Sequence, residues 1–311
     1  MKTIFTILLG LLFANIAWAQ DTSDVEAVRR TVQLSEVVVR SDLNVPKFLQ
    51  RIKNDSSYHK AFKNLHILGY TSLNFIQMRD KKGRVQASLD SKTRQNRDGN
   101  CRTMDVLNEK TTGDFYDKNG ELNYYTAELY SAFFFTNGKV CGETNIVSGS
   151  QHNVKDKKGL AKNKEQLKML FFNPGKKIPG IPFIGDKLDV FDEDVAKFYD
   201  YSIDTADING KPAYVFAIKR KEGLSSSERG KVVFDNLTTW FDQRSMEILA
   251  RNYDLSYSAG IYDFDVHMDV QMQKVGEYLV PHVLRYSGNW FLLSKKRERG
   301  IFTATLYDFK Q

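Results

Sequence analysis

The spacing of apolar residues changes near residue 66. Upstream of that point, apolar residues recur at intervals of three and four, the period of a helix with one buried face. These residues are Val45, Phe48, Leu49 and Ile52. Asn44 and Pro46 open the segment in the pattern of a capping residue followed by a proline in the first turn. We therefore predict a helix capped by Asn44, and apolar residues within 58–65 extend the helical region.

From His66 onwards, apolar and polar residues alternate, which is the period of a half-buried strand. Turn signals of Asn, Asp and Gly interrupt the alternation at short intervals. They lie at residues 80–83, 98–100, 117–120, 137–138 and 209–210. The strand-like segments between them include 124–125, 133–135, 214–218, 232–234 and 262–270. Because consecutive strands joined by tight turns run antiparallel, the sequence predicts an antiparallel sheet.

Residues 148–194 depart from this alternation. The polar, Lys-rich stretch 148–164 is typical of an exposed loop, and 165–172 has the pattern of a short amphipathic helix. Residues 171–185 mix prolines and glycines with large apolar side chains, which suits neither a helix nor a central strand. We predict a last short helix over 189–199.

Together these segments predict an α+β fold that is mainly antiparallel β. The expected architecture is a strongly curved sheet or half-barrel, with a few short helices covering its concave face. Residues 44–311 are expected to form a single curved-sheet domain, preceded by a leader strand or flexible segment over 20–43. The alternative of two halves, 44–147 and 195–311, joined by 148–194, stays open.

The first 19 residues have the three parts of a secretory signal peptide. Lys2 supplies the charged start, an apolar run covers residues 4–16, and the small-residue triplet ends at Ala19. The apolar run is shorter than the roughly 20 residues that a spanning helix needs, and acidic residues follow it. We expect cleavage after Ala19, export to the periplasm or the periplasmic face of the outer membrane, and no transmembrane segment.

The net charge is modest. The chain has 45 Lys and Arg against 38 Asp and Glu residues, a formal charge of +7. These charges are spread along the chain, so they are best explained by solubility. We expect no nucleic acid partner, because an exported protein rarely meets nucleic acid.

Cys101 and Cys141 are the only cysteines of the chain. In an oxidising compartment they are candidates for one disulfide. Two buried free thiols are an equally good interpretation, because the sequence does not say whether the two residues come within bridging distance.

The sequence lacks the motifs of the common catalytic and cofactor sites. It has no GxSxG, no HExxH, no phosphate-binding glycine loop and no histidine pair at metal-ligand spacing. His267 lies between Asp265 and Asp269 at a spacing of two, which permits a cluster that binds metal or shuttles a proton. We favour the solvated face of a half-buried strand there. The chain is therefore predicted not to be an enzyme, with no metal and no cofactor.

Aromatic residues make up 13% of the chain, more than a single sheet with a few short helices easily covers. Part of the concave face is therefore predicted to bind a ligand, with segment 171–185 as a flap over it. An equally good interpretation makes that segment a packed loop that closes the core. The candidate ligand-binding residues are Phe134, Phe171, Phe172, Ile181, Phe183 and Trp240.

The C-terminal third resembles a known scaffold. Residues 203–219 read as a strand, an Asn-Gly turn and a strand, and residues 240–242 place Trp, Phe and Asp in a strand before a turn. Long strands follow at 262–270 and 279–286. Over about residues 195–311 this layout is similar to the LolA/LolB-like envelope lipoprotein-carrier superfamily. That family covers the hydrophobic face of an antiparallel half-barrel with short helices.

The resemblance and the aromatic content imply a non-enzymatic envelope protein. It is expected to bind a lipid, an acyl chain or a lipoprotein in the concavity of its sheet. The alternative is a protein–protein interaction or structural module of a periplasmic or outer-membrane complex, with an envelope protein as its partner.

Overall fold

The computed structural model describes residues 38–39, 43–147, 169–178, 181, 184–259, 262–292 and 297–311. The predicted signal peptide with its cleavage site at Ala19, most of the predicted leader, the Lys-rich loop and Phe183 lie outside these described residues. Within them, no helix has both the length and the apolar composition that a membrane-spanning helix needs.

The described strands form one twelve-stranded sheet. Their bounds are β1 Val38–Val39, β2 Gly69–Arg79, β3 Val85–Asp98, β4 Cys101–Gly113, β5 Val140–Cys141, β6 Tyr199–Ile208, β7 Lys211–Arg220, β8 Phe234–Asp242, β9 Ile248–Ala259, β10 Tyr262–Val275, β11 Tyr278–Leu292 and β12 Glu298–Lys310. The order is β1-β6-β7-β8-β9-β10-β11-β12-β2-β3-β4-β5, so the sheet does not close. Neighbours are antiparallel except β1 and β6. The last strand, β12, pairs with β2 and so joins the N-terminal and C-terminal strands.

The helices are short. They are α1 Val45–Asn54, α2 Ser57–Asn64, α3 Tyr125–Phe134, α4 Glu193–Ala196 and α5 Ser226–Arg229, with 3-10 turns at Leu65–Ile67 and Asp186–Leu188. A further helical turn covers residues 169–172. An open antiparallel sheet with a few short helices confirms the predicted α+β fold class.

Three helices pack against one face of the sheet. In α1, the Phe48 ring contacts Phe216 of β7 and Phe241 of β8, with centroids 5.8 and 5.5 Å apart. In α3, the Tyr130 ring lies 4.9 Å from Phe302 of β12. The α2 helix crosses β11 and donates a hydrogen bond from its last residue, Asn64, to a β11 carbonyl. We call this covered side of the sheet the inner face.

The predicted start of α1 is confirmed. The side chain of Asn44 accepts a hydrogen bond from the backbone N–H of Lys47, and a proline lies in the first turn. The predicted extension of the helix is a second helix, because Asp55 breaks the backbone with an extended conformation. Its carboxylate then accepts the N–H of Ser57, 3.0 Å away, at the start of α2.

Four of the five turn signals join strands. Residues 80–83, 98–100 and 209–210 connect paired neighbouring strands, and 117–120 close a small bridge between Tyr116 and Leu122. At 209–210 both residues have positive φ, which Asn and Gly tolerate in the tightest hairpin turns. The fifth signal, at 137–138, joins α3 to β5 instead.

The predicted strands at 124–125 and 133–135 are wrong, because these residues lie in or beside α3. Seven of its ten residues are buried, so the helix lacks the polar face whose period would have revealed it. Its N-terminus is stabilised from far along the chain. The carboxylate of Glu298 accepts the N–H groups of Tyr125 and Thr126 at 2.8 and 2.9 Å.

Two other predicted segments are shifted. The helix predicted over 189–199 is limited to α4, because Tyr199 already belongs to β6, where Tyr199, Tyr201 and Ile203 alternate into the core. The strand predicted at 232–234 begins only at Phe234. The strand predicted at 262–270 is present as β10, and its residues 264, 266, 268 and 270 are buried as the alternation requires.

A buried hydrogen-bond network occupies part of the inner face of β2 and β3, beside their apolar core residues. The Asn74 side chain accepts hydrogen bonds from Ser72 and from the Tyr130 hydroxyl, both at 2.6 Å. Its amide donates to Ser91 at 3.2 Å and Thr93 at 3.1 Å. All five side chains are buried, so each depends on this network for its hydrogen bonds.

Candidate functional site

A cavity of about 290 Å³ lies between α2, α3, the helical turn at 169–172 and the start of β4. We call it the α2–α3 cavity. Its volume lies just below the roughly 300–1,000 Å³ that small-molecule sites occupy. One wall is apolar and the other is polar, so the cavity has two chemically different ends.

The apolar wall consists of aromatic rings in mutual contact. Phe172 lies 4.3 Å from Phe133 and 4.8 Å from Phe62, measured between ring centroids. Its other side stacks on the His59 ring at 6.1 Å. Phe172 is only partly buried although its neighbours Phe62 and Phe133 are buried, so its ring is the accessible one. Met169 completes this wall.

The polar wall is built around Arg102. Its guanidinium donates to both carboxylate oxygens of Glu143, at 2.5 and 3.3 Å. It also donates to Gln95 at 3.0 Å and Thr136 at 2.5 Å, which orient it. His66 lies 3.2 Å from Glu143, between Nδ1 and Oε1. A bidentate ion pair with further hydrogen bonds holds these groups in one geometry.

Burial decides the charge of His66. Removal from water lowers the pKa of His66 to about 4, in spite of the nearby Glu143 carboxylate. Burial is the largest single influence on the Glu143 carboxyl and acts to raise its pKa. The Arg102 hydrogen bond and the nearby positive charges together outweigh burial and lower that pKa below its ordinary value. At neutral pH the polar wall therefore holds a neutral imidazole, a carboxylate and a guanidinium.

We expect the protein to lose stability as the pH falls from about 6.5 to about 4. The folded-state pKa of His66 lies below the unfolded one, so the unfolded chain binds the proton more readily in this window. The contribution is fully present above pH 6.5 and is lost towards pH 4. Urea unfolding of the wild type and of His66→Gln across this range measures it. Equal pH dependence in the two proteins would contradict the assignment.

A disulfide between Cys101 and Cys141 lies beside the polar wall. It joins β4 to β5, where Cys101 pairs directly with Cys141. Arg102 follows the first cysteine, and Glu143 lies two residues after the second. The cross-link therefore holds the carboxylate-bearing segment against the strand that carries the guanidinium.

Among the predicted ligand-binding residues that the structure describes, only Phe172 lines this cavity. Phe134, Phe171 and Ile181 are buried in the core. Phe171, for example, packs against Tyr286 and Trp290 at 5.8 and 6.0 Å. The described part of 171–185 thus packs as a loop that closes the core.

Trp240 lies on the opposite side of the sheet. Its neighbours on β8, Thr239 and Phe241, are buried on the inner face, where Phe241 meets α1. Because successive side chains of a strand point to opposite faces, Trp240 points to the outer face. It lines a different groove there, away from Phe172.

The polar wall was not predicted from the sequence. Arg102, Glu143 and His66 are far apart in the chain and match no motif. One signal was available, because a Cys101–Cys141 bridge would bring the charged residues beside each cysteine together. That signal requires the pairing of the cysteines to be known.

His267 lies on the solvated face of β10. Its Nδ1 lies 2.6 Å from Asp254 of β9 and its Nε2 lies 3.0 Å from Asp269. The sequence pattern had suggested Asp265 in place of Asp254, but the register of β9 sets the cross-strand neighbour. Among the described residues, no group of three or more His, Cys, Asp and Glu side chains is arranged to hold a metal ion.

Two solved structures resemble this chain at low sequence identity. No protein-family model matches the chain, and no curated protein matches it. A solved domain from Vibrio parahaemolyticus, assigned as an outer membrane lipoprotein-sorting protein domain, is similar at 6% identity. The match covers 81% of this chain and 92% of that chain, with a TM-score of 0.27.

A DUF1329 family protein from Desulfovibrio piger ATCC 29098 is similar at 9% identity. This match covers 83% of this chain and 93% of that chain, with a TM-score of 0.25. Both superpositions are loose, so neither likeness indicates a function for this chain.

Proposed function

We propose that this protein is a non-enzymatic binding protein of the cell envelope that takes a single-chain amphiphile into the α2–α3 cavity. The observation that carries the proposal is the division of this cavity into an aromatic wall and a charged wall. The envelope location rests on the signal-peptide pattern of residues 1–19.

The aromatic wall suits an acyl chain. Phe62, Phe133 and Phe172 form a continuous apolar surface, and only Phe172 is partly exposed. Covering this surface with hydrocarbon removes apolar area from water, which stabilises binding by roughly 25 cal/mol per Å². An alkyl chain has no polar atom that would be left without a partner there.

The charged wall suits an anionic headgroup. Arg102 and Glu143 neutralise each other, and Lys63 adds one formal positive charge at the rim. The lining therefore carries a single net positive charge, which complements a carboxylate or a phosphate monoanion. His66 is neutral at pH 7 and donates from Nδ1 to Glu143, so its Nε2 can accept a hydrogen bond from a hydroxyl of the headgroup.

The cavity volume limits the ligand. At about 290 Å³ it accommodates one chain of medium length and excludes a lipid with several chains. The larger concavity expected from the sequence is filled by aromatic side chains, such as Tyr286 and Phe302, which stack at 4.4 Å. The proposal therefore narrows the ligand to a fatty acid or a lysolipid.

Titration with decanoate tests this proposal. We expect the wild type to bind it and Phe172→Asp to bind at least about tenfold more weakly, because the new carboxylate must be desolvated against the chain. Phe291→Asp is the matched control, since Phe291 is 38% exposed on another part of the sheet. Calorimetry measures both affinities. Wild-type protein that does not bind, or a Phe172→Asp variant that binds normally, would refute the proposal.

One observation favours the alternative of an interaction module. One edge of β4 pairs with β3, and the other edge pairs with β5 only at Cys101 and Arg102. Beyond Arg102, that second edge has no partner among the described strands. Residues 105–113 are exposed, and Val106 is 59% exposed. An open strand edge of this kind can accept a strand of a partner protein. Native mass spectrometry of protein from an envelope extract separates the two functions, since it detects either a bound amphiphile or a bound protein.

A further inference from the structure

A second concave site lies on the outer face, across β8 to β11. Its volume is about 510 Å³. We call it the outer groove. It is separated from the α2–α3 cavity by the sheet, since it contains Trp240 and the outward residues of the next three strands. The function proposed above does not use it.

The strand register explains why a groove forms here. Trp240 on β8 pairs with Ala250 on β9, and Ala250 pairs with Gln271 on β10. The smallest side chain of this row therefore lies between a large indole and a long amide, which leaves a hollow over Ala250. Lys211, at the β6–β7 hairpin, borders the hollow beyond Trp240.

The adjacent row of the sheet lines the groove with planar polar groups. Asn252 on β9 pairs with Asp269 on β10, and Asp269 pairs with Arg285 on β11. His267 holds the Asp269 carboxylate at 3.0 Å, and Asn236 approaches the Asn252 side chain at 3.3 Å. These two contacts fix the positions of the Asp269 carboxylate and the Asn252 amide in the groove.

Two further polar side chains of the groove are available to a ligand. Arg285 and Gln271 are exposed, and neither makes a side-chain hydrogen bond to another described residue. Arg285 presents a fork of N–H donors, and Gln271 presents both a donor and an acceptor. The groove thus offers carboxylate, amide and guanidinium groups around one partly exposed indole.

We infer that the outer groove binds a saccharide. A sugar ring has an apolar C–H face, which can lie against the Trp240 indole, and a rim of hydroxyl groups. Each hydroxyl both donates and accepts, so neighbouring hydroxyls match planar groups such as those of Asn252, Asp269 and Arg285. A site of this kind rejects ligands that leave its polar groups without partners.

Other ligand classes fit the outer groove less well. An acyl chain would cover Asp269 and Arg285 without replacing their hydrogen bonds to water. A phosphate-rich ligand would meet the Asp269 carboxylate. A neutral saccharide avoids both conflicts. A saccharide with a single carboxylate can place that group on the exposed Arg285, which a ligand with several phosphates cannot do for all of its charges.

Binding of purified protein to neutral hexose oligosaccharides and to uronic acid oligosaccharides tests the inference. Ala250→Leu is the informative variant, because it fills the hollow without removing any polar or aromatic group. We expect Ala250→Leu and Trp240→Ala each to weaken binding at least about tenfold. Arg285→Ala should weaken binding of the uronic acid ligands more than that of the neutral ones.

Phe291→Ala is the matched control, because it removes an exposed aromatic ring from β11 outside the outer groove. It should change affinity by less than about twofold. Urea unfolding of the same variants reports independently whether the fold is intact. The inference is overturned if no oligosaccharide of either class binds below about 1 mM, or if Ala250→Leu binds like the wild type.

Discussion

Replacing Cys101 and Cys141 by serine is expected to lower the free energy of unfolding by about 4 kcal/mol. The cross-link closes a loop of 40 residues and so removes conformational entropy from the unfolded chain. It also holds the segment that carries Glu143 against β4. We therefore expect the double variant to bind decanoate more weakly, since Arg102 loses a fixed partner. Urea unfolding and calorimetry measure the two effects.

Reduction of the disulfide by a thiol reagent is the control for this prediction. Both cysteines lie at the edge of the sheet and are not buried, so a thiol reagent can reach them. Reduction should lower the unfolding midpoint of the wild type and leave that of the double variant unchanged. If the double variant is as stable as the oxidised wild type, the disulfide does not constrain the chain in this way.

Replacing Asn74 by alanine should cost about 3–4 kcal/mol of unfolding free energy. The Asn74 side chain makes four hydrogen bonds in a buried site, to Ser72, Ser91, Thr93 and Tyr130. Its removal leaves buried hydroxyls without partners and opens a small cavity between the sheet and α3. Chemical denaturation measures the loss.

Asn108→Ala is the matched control for Asn74→Ala. Asn108 is exposed on β4, so the same chemical change should alter stability by less than about 0.5 kcal/mol. A second variant, Tyr130→Phe, removes one hydrogen bond of the network and keeps the ring packing against Phe302. It should cost less than Asn74→Ala. Equal stability of Asn74→Ala and Asn108→Ala would show that the network contributes little.

Several elements could be predicted from the sequence because their causes are local. The α1 helix carries its own cap at Asn44, and its apolar stripe is complete within ten residues. The hairpin at 209–210 depends on two residues that accept positive φ. The alternation of apolar and polar residues in β10 predicts which face of that strand is buried. Each of these patterns is contained in one short segment.

Other elements were mispredicted because their causes lie elsewhere in the chain. The α3 helix has seven of its ten residues buried and is capped by Glu298, more than 170 residues away. The predicted ligand-binding residues lie in different parts of the fold for a similar reason. Aromatic content indicates that rings must be buried, but whether they face a ligand or each other depends on the packing of Phe171 and its neighbours.

The fold class, the N-terminal helix and most of the hairpins follow from local sequence, since hydrophobic period and turn chemistry act over a few residues. The two candidate sites, in contrast, depend on contacts between distant segments. The α2–α3 cavity joins Phe172 to Arg102 and Glu143 across a disulfide, and the outer groove joins Trp240 to Arg285 across four strands. Strand register and helix packing bring these side chains together, and both are properties of the whole chain.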